Sequence, residues 1–160
     1  MGIVGGMDHH GHTPVNPWKQ AISATLHCLT GCAIGEVLGM VIGTALGWSN
    51  LATVVLSIAL AFVFGYSLTV GPVLRAGVPA ARALRIALAA DTVSITVMEI
   101  VDNGVMLVVP GAMDAGLASA LFWLALAFSL VVAFALTVPV NKWLIGRGKG
   151  HAVVHSYHHH

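Results

Sequence analysis

The sequence predicts an all-α, polytopic membrane protein with four transmembrane helices. Apolar residues make up 58% of its 160 residues and charged residues only 8%, which is the composition of a membrane protein rather than of a water-soluble domain. Four apolar segments are each long enough to cross a hydrocarbon core, which needs about 20 residues. We place these spans at residues 19–47, 51–73, 82–108 and 116–141.

The basic residues all lie on one side of these four spans. Lys19 precedes the first span, three arginines lie between the second and third, and the other three basic residues follow the fourth. The turns at residues 47–50 and 110–114 carry no lysine or arginine. Because loops rich in lysine and arginine stay in the cytoplasm, we expect both termini on the cytoplasmic side.

Both ends of the chain are polar and rich in histidine. We expect residues 1–16 to be a mobile tail, because they lack an apolar period. Residues 147–160 form a second tail that ends in a histidine run of the kind added for purification. Residues 17–146 then form the transmembrane domain. The net charge of +1 and the lack of a polybasic cluster exclude nucleic acid as a partner.

The first span carries a glycine repeat with a period of four. Its members are Gly31, Gly35, Gly39 and Gly43. Residues four apart share one face of a helix, and small residues let a second helix backbone approach closely inside lipid. We interpret the glycines as a helix-packing surface and expect them to favour a homo-oligomer.

A second period-four series runs beside the glycines and carries potential metal ligands. It consists of Cys28, Cys32, Glu36 and Met40. Residues three apart on a helix are separated by about 60°, so the two series form adjacent stripes. Glu36 is the clearest functional candidate, because a carboxylate inside a membrane helix is costly and tends to face a bundle interior or a pathway.

The third span carries three carboxylates, which packing alone does not explain. Glu36 and Glu99 each lie eleven residues before the turn that follows their helix, so they should share one depth in the membrane. His27 and Asp91 should share a second depth nearer the cytoplasm. If the first and third helices touch, the predicted ion pathway comprises Glu36, Glu99, Asp102, Asp91 and Asn103. The predicted metal ligands are His27, Cys28, Cys32, Glu36, Met40, Met98 and Glu99.

The spans contain no lysine or arginine to neutralise these carboxylates, so a proton or a cation from solution must do so. Thiolate, thioether and imidazole ligands favour soft or borderline transition metals, Cu(I) above all and then Cu(II), Ni(II), Co(II) or Zn(II). We therefore predict that the chain binds, and conducts, a transition-metal cation, with copper favoured. It lacks a nucleophile–base pair, a phosphate loop and an HExxH sequence, so we do not expect an enzyme.

Three other functions remain open at this stage. The carboxylates fit a proton or alkali-cation channel or transporter in which the sulfur side chains only pack. His27 with a methionine or a second subunit fits a haem- or quinone-binding protein. The polar face also fits an accessory membrane subunit that docks a partner. Short matches, such as EVLGM at residues 36–40 against EIVDN at 99–103, leave open a parallel duplication of a helical hairpin.

Three segments resemble a known family. LHCLTGCAIGEVLGM at residues 26–40, with DTVS at 91–94 and MEIVDN at 98–103, is similar to a bacterial integral-membrane family catalogued as a domain of unknown function. The likeness covers nearly all of residues 16–150. It implies a bacterial inner-membrane location and, because some members resemble neighbours or fusions of copper-handling oxidases, a copper-handling protein as a partner.

Overall fold

The computed structural model describes residues 16–147, which form four helices and no strand. The helices are α1 (Pro17–Ala45), α2 (Asn50–Arg75), α3 (Ala80–Val108) and α4 (Ala120–Gly146). The all-α prediction is confirmed. The expectations for the two histidine-rich tails concern residues that lie outside this described range, apart from Asn16 and Arg147 at its limits.

Local capping fixes where the helices begin. The Asn16 side chain accepts a hydrogen bond from the backbone N–H of Trp18 (2.9 Å), and Pro17 occupies the first helical position of α1, where its missing N–H costs nothing. Ser49 and Ser119 cap α2 and α4 in the same way. Each connection between helices contains a glycine with a positive φ angle, namely Gly47, Gly77 or Gly111.

The last helix differs most from its predicted span. We placed the span at residues 116–141, but α4 begins at Ala120 because the Ser119 side chain accepts the N–H of Leu121 (3.2 Å). It continues past Asn141 to Gly146. The polar residues from Asn141 onward were taken as the end of the element, whereas they lie on the last helical turns. The bounds of the other three helices agree with their predicted spans to within two residues.

Three of the four helices, α1, α2 and α4, are long and apolar enough to cross a membrane. α3 has the same length as α1, 29 residues, but it carries too many charged residues to be counted with the other three as a membrane-crossing helix. These charges include Arg82, Asp91, Glu99 and Asp102. All three carboxylates are buried inside the bundle, so they are not presented to lipid, and a fourth crossing by α3 remains a prediction.

The helices form a ring in which α1–α2, α2–α3, α3–α4 and α4–α1 are neighbours. α1 and α3 also touch across the bundle. The predicted ion pathway required this contact between the first and third helices. α1 is therefore in contact with every other helix. Its buried residues include the glycine series on one side and Cys28, Cys32 and Glu36 on the other.

The glycine stripe of α1 packs against a stripe of small residues on α2. Gly31 lies against Gly65, Gly35 against Ala61, Gly39 against Ser57 and Gly43 against Thr53. A Cβ atom on Gly31 would lie 2.7 Å from the Gly65 backbone, so only glycine allows this approach. The glycines therefore pack against a helix of the same chain, and the expected homo-oligomer no longer has the support of this stripe.

The basic residues of the described chain lie at one end of the bundle. There the Lys142 ammonium group lies 3.8 Å from the centroid of the Trp18 ring, which joins the end of α4 to the start of α1. We call this the basic end. The opposite end, which carries the connections at residues 46–49 and 109–119, is called the distal end. There Asn50 Nδ2 donates a 2.9 Å hydrogen bond to Asp114 Oδ1 and joins the two connections.

Candidate intramembrane cation pathway

Four carboxylates lie in the interior between α1 and α3. Glu36 comes from α1, whereas Asp91, Glu99 and Asp102 come from α3, and none of the four is more than 6% exposed. They occupy three successive levels along the bundle, which are described from the basic end toward the distal end. The helical spacing of both elements explains the levels, because residues three or four apart return to the same face.

At the level nearest the basic end, a thiol meets a carboxylate. Cys28 Sγ donates a hydrogen bond to Asp91 Oδ1, with a sulfur–oxygen distance of 3.7 Å. Thr69 of α2 also faces Asp91. His27 is half-buried beside this level. The predicted pairing of Cys28 with Asp91 is therefore present.

The middle level combines sulfur with a second carboxylate. Cys28, Cys32 and Met98 belong to one buried cluster, together with Ala61, Ile95 and Ala133. The Cys32 thiol faces the Glu99 carboxyl group. Asn103 Nδ2 donates to the backbone oxygen of Glu99 at 2.9 Å and to its Oε2 at 3.4 Å. Glu99 is thus held between a thiol and an amide.

The third level contains two carboxyl groups that face each other, those of Glu36 and Asp102. Asp102 accepts a hydrogen bond from the Ser129 hydroxyl of α4. Neither oxygen of the Glu36 carboxyl group has a hydrogen-bond partner among the described residues. A carboxyl group in such a place must carry a proton or neutralise a cation, because an isolated buried negative charge is very costly.

A cavity of about 100 Å³ joins this third level to the distal end of the bundle. Glu36, Asp102 and Asn103 line its deep side, and Trp48 and Asn50 line its distal side. The cavity gives small ions and water a place beside the two carboxyl groups. The other two levels lie in the packed interior, where the residues around the thiols are almost fully buried.

The sequence reasoning missed a hydrogen-bonded group near the basic end. Asn141 Nδ2 donates to Thr25 Oγ1 at 2.8 Å, and Ser94 Oγ donates to Asn141 Oδ1. These residues connect α1, α3 and α4 and are no more than 4% exposed. Asn141 is the last residue of the predicted fourth span, and no pattern in that span pointed to it. A period-four polar series on α2, with Thr53, Ser57 and Thr69, was also overlooked.

The seven predicted metal ligands do not form one site. Met40 lies in the cluster at the distal end, His27 is half-buried near the basic end, and the other five are distributed over the three levels. Within residues 16–147, no group of three or more His, Cys, Asp and Glu side chains converges to hold a metal ion. The structure does bring together the two thiols with Met98, and Glu36 with Glu99 and Asp102.

Comparison with curated proteins and with solved structures finds no match. The fold and the site are therefore described from the structure of this chain alone. A family model does match, over residues 17–150, a range that includes all four helices and the three levels described above. The chain belongs to the family described as "Domain of unknown function (DUF4396)".

Proposed function

We propose that the chain binds a soft transition-metal cation, with Cu(I) favoured, and transports it across a bacterial inner membrane, with the basic end facing the cytoplasm. The observation that supports this proposal is the buried cluster of Cys28, Cys32 and Met98 between carboxyl groups. Thiolate and thioether sulfur select Cu(I) over hard cations. A copper-handling protein is the expected partner on one side of the membrane.

The carboxyl groups beside the thiols serve a definite chemical purpose in this proposal. A thiol must lose its proton when it becomes a metal ligand. Asp91 lies against Cys28 and Glu99 against Cys32, so each carboxylate can accept the proton that its thiol releases. The thiolate with its monovalent cation is neutral, and the carboxylate that takes up the proton also becomes neutral. Binding therefore takes the site from one negative charge to none, which lowers the electrostatic cost of the low-dielectric interior.

The arrangement of the potential ligands narrows the choice of metal. Zn(II), Ni(II), Co(II) and Cu(II) sites are usually built from several imidazole, carboxylate or thiolate groups, and the described residues offer no such group of three. Cu(I) accepts a low coordination number and takes thioether sulfur as a ligand. Two thiols and Met98 meet that requirement, so the geometry favours Cu(I) within the predicted set of metals.

The test is Cu(I) uptake into proteoliposomes that contain a trapped fluorescent Cu(I) chelator. We expect Cys28→Ser combined with Cys32→Ser to reduce uptake by roughly tenfold or more, because serine oxygen is a poor ligand for a soft cation. The matched control is Thr30→Ala with Ser67→Ala, two exposed hydroxyls that bond only to their own helices. Equal uptake by wild type and the double cysteine variant would sink the proposal.

A proton pathway is the second candidate function, and two observations favour it. The interior connects carboxyl groups to hydroxyls, as in the contact of Ser129 with Asp102, and the described residues lack a cluster of three metal-binding groups. In this case proton flux, followed with a pH dye inside the vesicles, disappears in Glu36→Gln/Glu99→Gln. It stays unchanged in the double cysteine variant, which separates the two candidates.

A further inference from the structure

Three methionines line the distal cavity, away from the cysteine cluster. They are Met40 on α1, Met106 on α3 and Met113 in the connection before α4. Met106 is 7% exposed, and the other two are half-buried and pack against the same apolar cluster as Met106. Three thioether groups from three parts of the chain therefore border one cavity of about 100 Å³.

The cavity also contains two carboxyl groups that face each other, those of Glu36 and Asp102, and the Glu36 group has no hydrogen-bond partner among the described residues. The Glu36 side chain is only 6% exposed. The described basic side chains lie at the opposite end of the bundle, so they do not neutralise it. An apolar pocket of packing methionines would not need such a group. The combination of thioethers and one unneutralised carboxyl group points to a bound cation.

Thioether sulfur decides which class of cation fits. It is neutral and soft, so it binds Cu(I) or Ag(I) well and binds Mg²⁺, Ca²⁺ or Zn²⁺ poorly. Unlike a thiol, it has no proton to lose, and a cation can therefore bind and leave without a proton acceptor. One carboxylate then balances the single positive charge of the ion.

We infer that the distal cavity is a separate binding site for a soft monovalent cation, with Met40, Met106 and Met113 as ligands and Glu36 as the counter-charge. The inference rests on the proposed function in one respect, because in that function the distal site passes its cation on to the cysteine cluster. Glu36 lies one helical turn from Cys32 on α1, so an ion that leaves the thioethers is already beside the first thiol.

The experiment uses Ag(I), a redox-inert soft monovalent cation, and the full chain in detergent with selenomethionine in place of methionine. The background is Cys28→Ser/Cys32→Ser, so that no thiol competes. We expect X-ray absorption at the silver edge to show silver–selenium scattering. The triple variant Met40→Leu/Met106→Leu/Met113→Leu should lose that signal and bind Ag(I) roughly tenfold or more weakly in equilibrium dialysis.

Leucine matches methionine closely in volume, so the fold should survive the triple variant. Met113→Leu alone, in a connection rather than a helix, provides a milder version and should lower the number of selenium neighbours by one. Leu107→Ile, an exposed residue next to Met106 that does not line the cavity, is the control and should leave the signal unchanged. Silver–selenium scattering that persists in the triple variant, or its absence in the cysteine-free background, would overturn the inference.

The outcomes separate this site from the proposed transport. Silver bound by the thioethers in vesicles that take up no Cu(I) would establish the distal site and refute the transport proposal. Cu(I) uptake that depends on the cysteines, in a protein without silver–selenium scattering, would do the reverse. Glu36→Gln should weaken Ag(I) binding in the cysteine-free background, because it removes the negative charge while keeping the side-chain shape.

Discussion

Two faces of α1 repeat every four residues, and they have opposite characters. The face toward α2 carries glycines that allow direct contact between two backbones. The face toward α3 carries Cys28, Cys32 and Glu36, which meet carboxyl groups. The first face fills space completely and leaves no room for a ligand. The second face holds polar groups in the interior at an energetic cost.

The comparison shows how a single helix separates stability from function. Backbone contact along the α2 face gives close packing that does not depend on any polar group. That packing is the natural source of the stability needed to hold costly carboxylates on the α3 face. Substitutions on the α2 face should therefore lower stability, whereas substitutions on the α3 face should alter cation flux. The predictions below run from the largest expected change in stability to the smallest.

Gly35→Val should have the largest effect on the fold. A Cβ atom at Gly35 would lie 2.5 Å from the Ala61 Cα and 2.7 Å from the Leu60 carbonyl carbon. Backbone atoms cannot move aside, so we expect a loss at or above the upper end of the about 1–3 kcal/mol that overpacking usually costs. The measurement is thermal unfolding of the purified protein in detergent.

Gly104→Val on α3 is the control for this substitution, because a Cβ atom there meets nothing within 4 Å. It should change the midpoint of unfolding only slightly. If both valine variants unfold alike, then close packing against α2 is not what the glycine stripe provides.

Asn141→Leu should have the next largest effect. The leucine would remove one acceptor from Ser94 and one donor to Thr25, and we expect the free energy of unfolding to fall by about 1–2 kcal/mol. Denaturation in detergent mixtures measures it. In a double-mutant cycle with Thr25→Val the two effects should not add, because the pair shares one hydrogen bond; simple additivity would contradict the contact.

Glu36→Gln should stabilise the fold, in contrast to the first two substitutions. The buried carboxyl group has no hydrogen-bond partner among the described residues, and a neutral amide of the same shape lowers the cost of burial, by about 1 kcal/mol. The thermal midpoint should rise while cation flux falls. Asp102→Asn is the matched control and should bring no such gain, because Asp102 already accepts from Ser129. A drop in stability for Glu36→Gln would show that the ionised carboxylate supports the fold.

Lys142→Gln should have the smallest effect. It removes the cation–π contact with Trp18 at the surface of the basic end, which we expect to be worth about 0.5–1 kcal/mol. Lys19→Gln, an exposed lysine at the same end, should change stability less. Chemical denaturation of both variants in one detergent checks the difference, and equal effects would indicate general surface charge rather than the ring contact.

The sequence was informative wherever a pattern had one physical explanation. The all-α fold and three of the helix bounds followed from apolar length and turn residues. Counting residues back from the turns placed Asp91 at the depth of His27, and its partner is the neighbouring Cys28. The same counting placed Glu36 level with Glu99, whereas Glu36 faces Asp102 and Glu99 faces Cys32 on the level nearer the basic end. Helical rise converts such counts into depth, so contact between α1 and α3 was enough to bring these groups together.

The partner of the glycine stripe could not be inferred from the stripe itself. A small-residue face packs equally well on another copy of the chain or on a neighbouring helix. The deciding signal was on α2, where Thr53, Ser57, Ala61, Gly65 and Thr69 repeat with the same period. The absence of ionisable residues from α2 gives no sign of this contact, because small residues decide the packing there.

Asn141 was missed for a different reason. It is a single polar side chain at the end of an apolar span and belongs to no repeat, whereas in the structure it is 4% exposed and bonded to two helices. The distribution of the metal ligands over several levels also lay beyond sequence reasoning. A four-residue spacing places side chains on one face, but it does not make them converge on one point.

The charges of α3 have a consequence for how the chain is assembled. α3 is the one described helix that falls short of the standard for crossing a membrane by itself, so it cannot be expected to enter lipid as an independent segment. α1 and α2 precede it and close on each other through the glycine stripe. Because α1 and α2 are synthesised first, we expect their hairpin to present Cys28, Cys32 and Glu36 before α3 is complete. We therefore expect insertion of α3 to depend on that hairpin.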